Sequence, residues 1–254
     1  MRAEPLWRGA ARAAYDLVFP RRCPFCGAVI GWMPRCEECL PRAEEILHRP
    51  FLLPATEHKL ENLEGAASLF LYKDPARRAI LEMKRGGRPW YAREFGYALA
   101  RRLFGCTFEV RHGIITLNYP GPRLPYDRVV SVPSSRVDRP YDSTARMAAA
   151  LAEALGIPFE KGALVRSRQA KPQTDLSGEE RLTNPVRSMK AASPQRLDGR
   201  RILLVDDVIT TGATISEAAR ALLEAGALEV FGVSIAASEI EAPQKQQTSE
   251  KKTP

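Results

Sequence analysis

Ile202-Leu203-Leu204-Val205-Asp206-Asp207-Val208-Ile209-Thr210-Thr211-Gly212-Ala213-Thr214 is an apolar run that ends in two carboxylates and then in a hydroxyl-rich turn with one glycine. Ile202 to Val205 is short, partly β-branched and not alternating, which predicts a parallel strand buried on both faces. Asp206 and Asp207 then emerge at its carboxyl end, where open α/β sheets place their ligands. From Ala213 the positions Ala213, Ile215, Ala218, Ala219, Leu222 and Leu223 keep helical spacing as far as Gly226, a C-terminal cap. Thr210 to Thr214 is therefore the entry to a helix, whose backbone N–H groups favour an anion.

A phosphate in that turn would receive N–H bonds from the backbone and O–H bonds from Thr210, Thr211 and Thr214, while Gly212 permits close approach. Two carboxylates repel the phosphate itself. They suit the neutral vicinal hydroxyls of a ribose, or a divalent cation such as Mg²⁺ that bridges to further phosphates. The ligand implied is a ribose 5-phosphate. From the apolar run through Asp206-Asp207 to Thr210-Thr211-Gly212-Ala213-Thr214, the stretch resembles the 5-phosphoribosyl-1-diphosphate (PRPP) binding motif of type I phosphoribosyltransferases. Turn and cap chemistry explains any one of these residues, but not the whole run.

The chain has 254 residues, 44% of them hydrophobic, enough for one large or two modest domains with a real core. Its formal charge of +8 is uneven: residues 77–102 hold eight Lys/Arg against two acids, and residues 166–201 hold nine against four. Both blocks suit a polyanionic ligand. Aromatic residues, at 7%, are not interleaved with these blocks as a base-stacking platform.

Residues 1–22 carry Leu6, Ala10, Ala13 and Leu17 on one helical face, a short amphipathic helix. Arg8, Arg12 and Asp16 interrupt the apolar core of roughly 7–15 residues that a secretory signal needs. With no stretch of roughly 20 apolar residues for a transmembrane segment, the chain is expected to be cytoplasmic. Next come Cys23-Pro24-Phe25-Cys26 and Cys36-Glu37-Glu38-Cys39, two Cys-x-x-Cys knuckles nine residues apart. Four thiolates so paired make a closed tetrahedral Zn²⁺ site, in a segment too small to own a core. A disulfide is disfavoured in a cytoplasmic chain, and a redox Cys-x-x-Cys would not come as a pair. Cys106 is assigned no chemistry; His48, His58 and His112 lack partners at metal or catalytic spacing and are expected at the surface or in loops.

Further along, residues 66–72 read as a strand, 75–84 as a helix, and Lys84-Arg85-Gly86-Gly87-Arg88 as a basic turn able to neutralise a diphosphate or simply to sit in solvent. Residues 90–104 read as a helix whose Trp90, Tyr91, Phe95, Leu99 and Leu103 belong to the core. Residues 128–133 form a strand with Ser134-Ser135-Arg136 at its carboxyl end, where a second ligand loop belongs. Arg139-Pro140-Tyr141-Asp142-Ser143 leads into an alanine-rich helix at 144–155, ended by Gly156. Leu164-Val165 closes a further short strand before the polar stretch from Arg166 to Arg196.

The order of zinc knuckle, 72–84 segment, Val132-Pro133 strand, basic stretch and terminal PRPP motif is similar to the ComF family of competence-associated, phosphoribosyltransferase-like proteins, over roughly residues 5–237. The resemblance implies PRPP binding by Asp206, Asp207, Thr210, Thr211, Gly212, Ala213 and Thr214, with Arg166, Gln173, Leu176, Arg181 and Asn184 standing where the family carries its Arg, Gln, Leu, Arg and Asn. It departs at Arg139-Pro140-Tyr141-Asp142-Ser143, where the family has Arg-Gly-Phe-Asn-Gln: proline fixes φ where glycine was permissive, and Asp142 adds charge where an amide was neutral.

The expected fold is α/β: a type I phosphoribosyltransferase-like central parallel sheet with helices on both faces. An N-terminal helix and zinc ribbon at 1–50 precede the main domain at 60–237, and 238–254 is a disordered tail. As an enzyme the protein would hold Mg²⁺-PRPP and transfer its phosphoribosyl group, with Lys84, Ser134, Arg136 and Arg139 on the diphosphate side. No residue stands out as the base that activates an acceptor. As a non-catalytic module it would sense PRPP or a nucleotide while the basic surface and ribbon contact single-stranded DNA or competence proteins.

Overall fold

The computed structural model describes residues 18–85, 88–111, 114–134, 141–167 and 188–239. Four parallel strands form the central sheet in the order β1, β8, β7, β4: β1 is Gly65–Leu71, β8 is Glu229–Ala237, β7 is Arg201–Ile209 and β4 is Arg128–Ser131. The two middle strands are buried on both faces, as their non-alternating apolar runs require. Alternate residues feed two cores. Leu203, Val205, Val233 and Ile235 face one side, while Ile202, Leu204, Val230 and Ala66 face the other.

After the short helix α1 (Leu40–Glu45), the first face carries α2 (Ala76–Lys84), α3 (Tyr91–Leu103) and α4 (Ser143–Leu155), which contribute Ile80, Met83, Phe95, Leu99, Met147 and Leu151. Full burial of each such side chain is worth about 1.5–3 kcal/mol. Of the aromatics expected there, Tyr91 and Phe95 are buried, whereas Trp90 is exposed. On the second face α5 (Ala213–Glu224) contributes Ile215, Ala218, Ala219 and Leu222. It can lie this close because β8 carries Gly232, where a Cβ would meet Ile215 Cδ1 at 2.7 Å.

Two antiparallel ladders stand apart from the sheet. One pairs β2 (Thr107–Arg111) with β3 (Ile114–Asn118). The other pairs β5 (Leu164–Arg166) with β6 (Met189–Ala191), so the strand expected at Leu164-Val165 belongs to a separate two-stranded ladder. β7 is longer than its apolar run: it pairs with β8 as far as Ile209↔Ala237, so the carboxylates lie within the strand. On its other side the ladder with β4 stops at Ser131↔Val205, so the acid pair lies beyond the end of β4, where an open α/β sheet has its crevice.

His48 and His58 lie in loops, as expected, and are buried there. His48 meets the Pro50 carbonyl through Nδ1 at 2.6 Å, and His58 meets the Ser238 carbonyl through Nε2 at 3.1 Å. The Cys106 thiol is buried against the Ala154 carbonyl, and burial pushes it up to about 11. The helix expected at the N-terminus falls on residues 1–17, which, like those from 240 onward, lie outside the described residues; Ser238 N–H donates to the Ile209 carbonyl at 3.0 Å. No described helix is long and apolar enough to cross a membrane.

Candidate functional site

Asp206 is 7% exposed and paired in register with Ser234, so its carboxyl rises from the middle of the sheet. Oδ1 accepts the Asp207 backbone N–H at 2.8 Å. Burial pushes this carboxyl up to about 7, the neighbouring Asp207 charge adds to the shift, and the Asp207 N–H, Lys84 and Arg166 oppose it. Asp207 is less buried, and both its oxygens are engaged: Oδ1 with Lys84 Nζ at 2.6 Å and Oδ2 with the Thr144 hydroxyl at 3.4 Å.

Lys84, expected on the diphosphate side, and Thr144, for which no site role is expected from sequence, thus both meet Asp207. Lys84 is the last residue of α2, anchored by buried Ile80 and Met83 and by the Tyr141 hydroxyl donating to the Met83 carbonyl. Asp142 caps α4, accepting the Ala145 N–H at 2.9 Å, and this delivers Thr144 to the site in the first helical turn. The charge that departs from the family pattern at Asp142 is therefore employed as a helix cap. The pattern Asp142-Ser143-Thr144 carried that signal in its capping chemistry.

Past β7, Thr210, Thr211, Ala213 and Thr214 are exposed at the N-terminus of α5. Gly212 is left-handed, with φ +87°. Its lack of a side chain serves a neighbour: a Cβ would stand 2.3 Å from the Lys59 carbonyl oxygen. That carbonyl also accepts the Ser216 hydroxyl at 2.7 Å, and the Lys59 N–H donates to the Thr211 carbonyl at 2.9 Å. The loop before β1 thereby clamps the turn, a long-range contact invisible in sequence spacing. The exposed hydroxyls and the first-turn N–H groups of α5 remain the anion-directed elements.

Arg166, at the end of β5, donates from Nε to the Pro133 and Ser134 carbonyls at 3.3 and 3.2 Å, so Ser134 and Arg166 join the crevice beyond β4. Arg136, Arg139, Gln173, Leu176, Arg181 and Asn184 lie outside the described residues. As a magnesium cage the acid pair fits poorly: Asp206 is held near half-protonation and Asp207 is already matched by Lys84.

The cysteines fit zinc. The sulfurs of Cys23, Cys26, Cys36 and Cys39 all lie within 4.8 Å of one another, and Cys26 and Cys36 are 3.8 Å apart. A tetrahedron with sulfur roughly 2.3 Å from its centre has edges of about 3.8 Å. Burial pushes the Cys23 thiol up to about 11 and Cys39 still higher, a penalty that a divalent cation reverses. This cluster would hold Zn²⁺ as a structural ion.

The cluster is seated on the main core. Phe25, between two cysteines, stacks edge-on against Phe70 and Phe95 at 5.6 and 6.3 Å. Arg21 forms a buried bidentate pair with Glu94 of α3, at 2.9 and 2.7 Å, and donates to the Gly31 and Met33 carbonyls of the knuckle loop.

A model of the phosphoribosyl transferase domain matches residues 142–252, the segment holding Thr144, the acid pair and the threonine turn. DNA utilization protein YhgH of Escherichia coli strain K12 is 32% identical over 162 residues, covering 63% of this chain and 66% of that protein, just under two thirds. The ribose-phosphate pyrophosphokinase of Pyrococcus abyssi is 35% identical over 88 residues, 33% of this chain and 30% of the enzyme. Among solved structures, the glutamine PRPP amidotransferase from B. subtilis complexed with ADP and GMP is 30% identical, covering 44% of this chain and 22% of that one, with a TM-score of 0.32.

Proposed function

We propose that the chain is a ComF-type, phosphoribosyltransferase-like protein and that the crevice beyond β7 and β4 binds PRPP, a reading supported by the phosphoribosyl transferase domain match and by the likeness to YhgH. The observation that carries this reading is one juxtaposition: an acid pair, Asp206 buried and Asp207 partly so, is followed five residues on by a helix N-terminus entered through a left-handed glycine. The 5-phosphate takes the N–H groups of the α5 first turn and the hydroxyls of Thr210, Thr211 and Thr214. Asp206 and Asp207 accept the ribose hydroxyls. The diphosphate lies toward Lys84, Ser134 and Arg166, with Arg136 and Arg139 added from sequence alone; Mg²⁺ accompanies the diphosphate as part of the ligand.

Transfer would need an anion beside the oxocarbenium-like ribose, which Asp207 supplies, and an acceptor, for which no base stands out among the described residues. Titration calorimetry with PRPP, followed by assay of diphosphate release across candidate bases, separates binding from turnover. We expect PRPP to bind and ribose 5-phosphate to bind more weakly; a protein that binds neither defeats the reading.

A second reading, single-stranded DNA, is favoured by a relative named as a DNA utilization protein and by a cleft of about 300 Å³ between the cysteine knuckle and α2. Arg42, Arg78 and Arg88 line it. Arg88 is engaged by Glu82 at 3.2 Å and by the Tyr91 hydroxyl at 2.7 Å, so exposed Arg77, Arg78 and Arg85 are the better phosphate contacts. Affinity for oligonucleotides should fall steeply with salt and vanish when these three become Glu. Salt-insensitive binding, or none, removes this reading.

A further inference from the structure

The acid pair carries its own cation. Asp207 Oδ1 is 2.6 Å from Lys84 Nζ, with the two side chains 13% and 23% exposed, a partly buried pair out of reach of full screening. Lys84 belongs to another element, so the contact is built by tertiary packing: buried Ile80 and Met83 seat the last turn of α2, and the Tyr141 hydroxyl donates to the Met83 carbonyl. Arg166, held by the Pro133 and Ser134 carbonyls, adds a second positive charge that acts on Asp206.

Among the described residues, the fixed charges facing the pair are thus two cations against Asp207 and a carboxyl that burial holds near half-protonation. That balance leaves a polyanion attracted to the crevice before any metal is counted. A divalent ion at Asp207 would have to displace an ammonium already in hydrogen-bond contact. A lysine is also suited to handing over, because its ammonium is a compact charge on a four-carbon stem and this one is open enough to swing.

We propose that Lys84 is the resident counter-cation of Asp207, taking the place of a protein-held divalent metal, and that it turns to the diphosphate when a ribose diphosphate enters. The proposal rests on the PRPP reading above and makes Lys84 a specificity-determining residue. It favours ribose carrying a 1-diphosphate over ribose 5-phosphate, and it allows that ligand to bind without metal.

Two measurements test it on the full chain, with the parent, Lys84→Met and Lys84→Arg. The first uses Mn²⁺ alone, read by electron paramagnetic resonance. Lys84→Met, which frees the Asp207 oxygen, should bind Mn²⁺ at least tenfold more tightly than the parent, and Lys84→Arg should resemble the parent. The second is PRPP calorimetry in EDTA and in excess Mg²⁺. In EDTA, Lys84→Met should lose about tenfold to a hundredfold in affinity, the scale of one charge-assisted contact, and in Mg²⁺ only about threefold. Equal losses in the two buffers, or equal Mn²⁺ affinity in parent and Lys84→Met, would overturn the counter-cation role. A parent that binds PRPP in neither buffer overturns the ligand reading instead, and the Mn²⁺ result then judges Lys84 by itself. Matching circular dichroism of the three proteins confirms that each comparison is between folded chains.

Discussion

Asp206 is a carboxyl that folding makes harder to ionise, raised from 3.8 to about 7 chiefly by burial. Between those values the folded chain holds a proton that the unfolded chain releases. Its favourable contribution is therefore complete below about pH 4 and is lost as pH rises through about 7. Asp206→Asn keeps the acceptor for the Asp207 N–H and removes the buried charge. It should raise Tm at pH 8, each kcal/mol being worth about 2–4 °C, with no gain at pH 4, while weakening PRPP binding. A variant that is no more stable at pH 8 than the parent would mean that the carboxyl is ionised without penalty. Gly212 is the other sensitive position. Gly212→Ala should cost about 1–3 kcal/mol by denaturant melt, because the new Cβ collides with the Lys59 carbonyl and φ +87° is costly for alanine.

Ser216 belongs to the scale of elements, since its hydroxyl joins α5 to the loop before β1. Ser216→Ala should cost about 1 kcal/mol of stability and loosen the threonine turn, a several-fold loss in PRPP affinity by calorimetry. The unit β7, turn and α5 was legible in the sequence because its signals are local: an apolar run, two acids, hydroxyls, a glycine and helical spacing within about two dozen residues. The Ser143–Leu155 helix was legible for the same reason. β8 was not read, although it is a middle strand, because Gly232, Ser234, Ala236 and Ala237 dilute its apolar signal; smallness there serves close packing of α5. β6 was missed because three residues opposite β5 cannot show a period. Within the site, the acids and the turn could be named from chemistry alone. The helix start at Thr144 was open to reading from its cap, but its meeting with Asp207, the Lys59 clamp and the Lys84–Asp207 contact were not, since each depends on where a separate element lies.

At the scale of the molecule, the cysteine module and the sheet share one interior. Leu47 bridges to Phe70 and Leu52 to Ala67, so the chain leaving the knuckle runs antiparallel beside β1. Phe25 and the Arg21–Glu94 pair complete the seam. The purified protein should contain about one zinc per chain. Its removal by a chelator, or Cys39→Ser, should lower a single Tm for the whole chain; two separated transitions in calorimetry would show that the module folds independently. Arg21→Met should cost about 3–5 kcal/mol, because it strands a buried Glu94 carboxylate, and restoring the balance with Glu94→Gln should recover most of it.

The stretch from Ile46 to Leu53 does something else by lying where it does. A parallel sheet of four strands has two raw borders, each a row of unpaired amides inviting another chain. Here β1 is hemmed by that stretch, and β4 by Pro158 to Glu160, which exchange backbone hydrogen bonds with Val129. The sheet is thus selvaged on both sides, but only the β1 hem is tied to the cysteine cluster. Loss of metal should therefore fray one border alone, and light scattering should rise as stripped chains stack β1 to β1 before the body of the protein has melted.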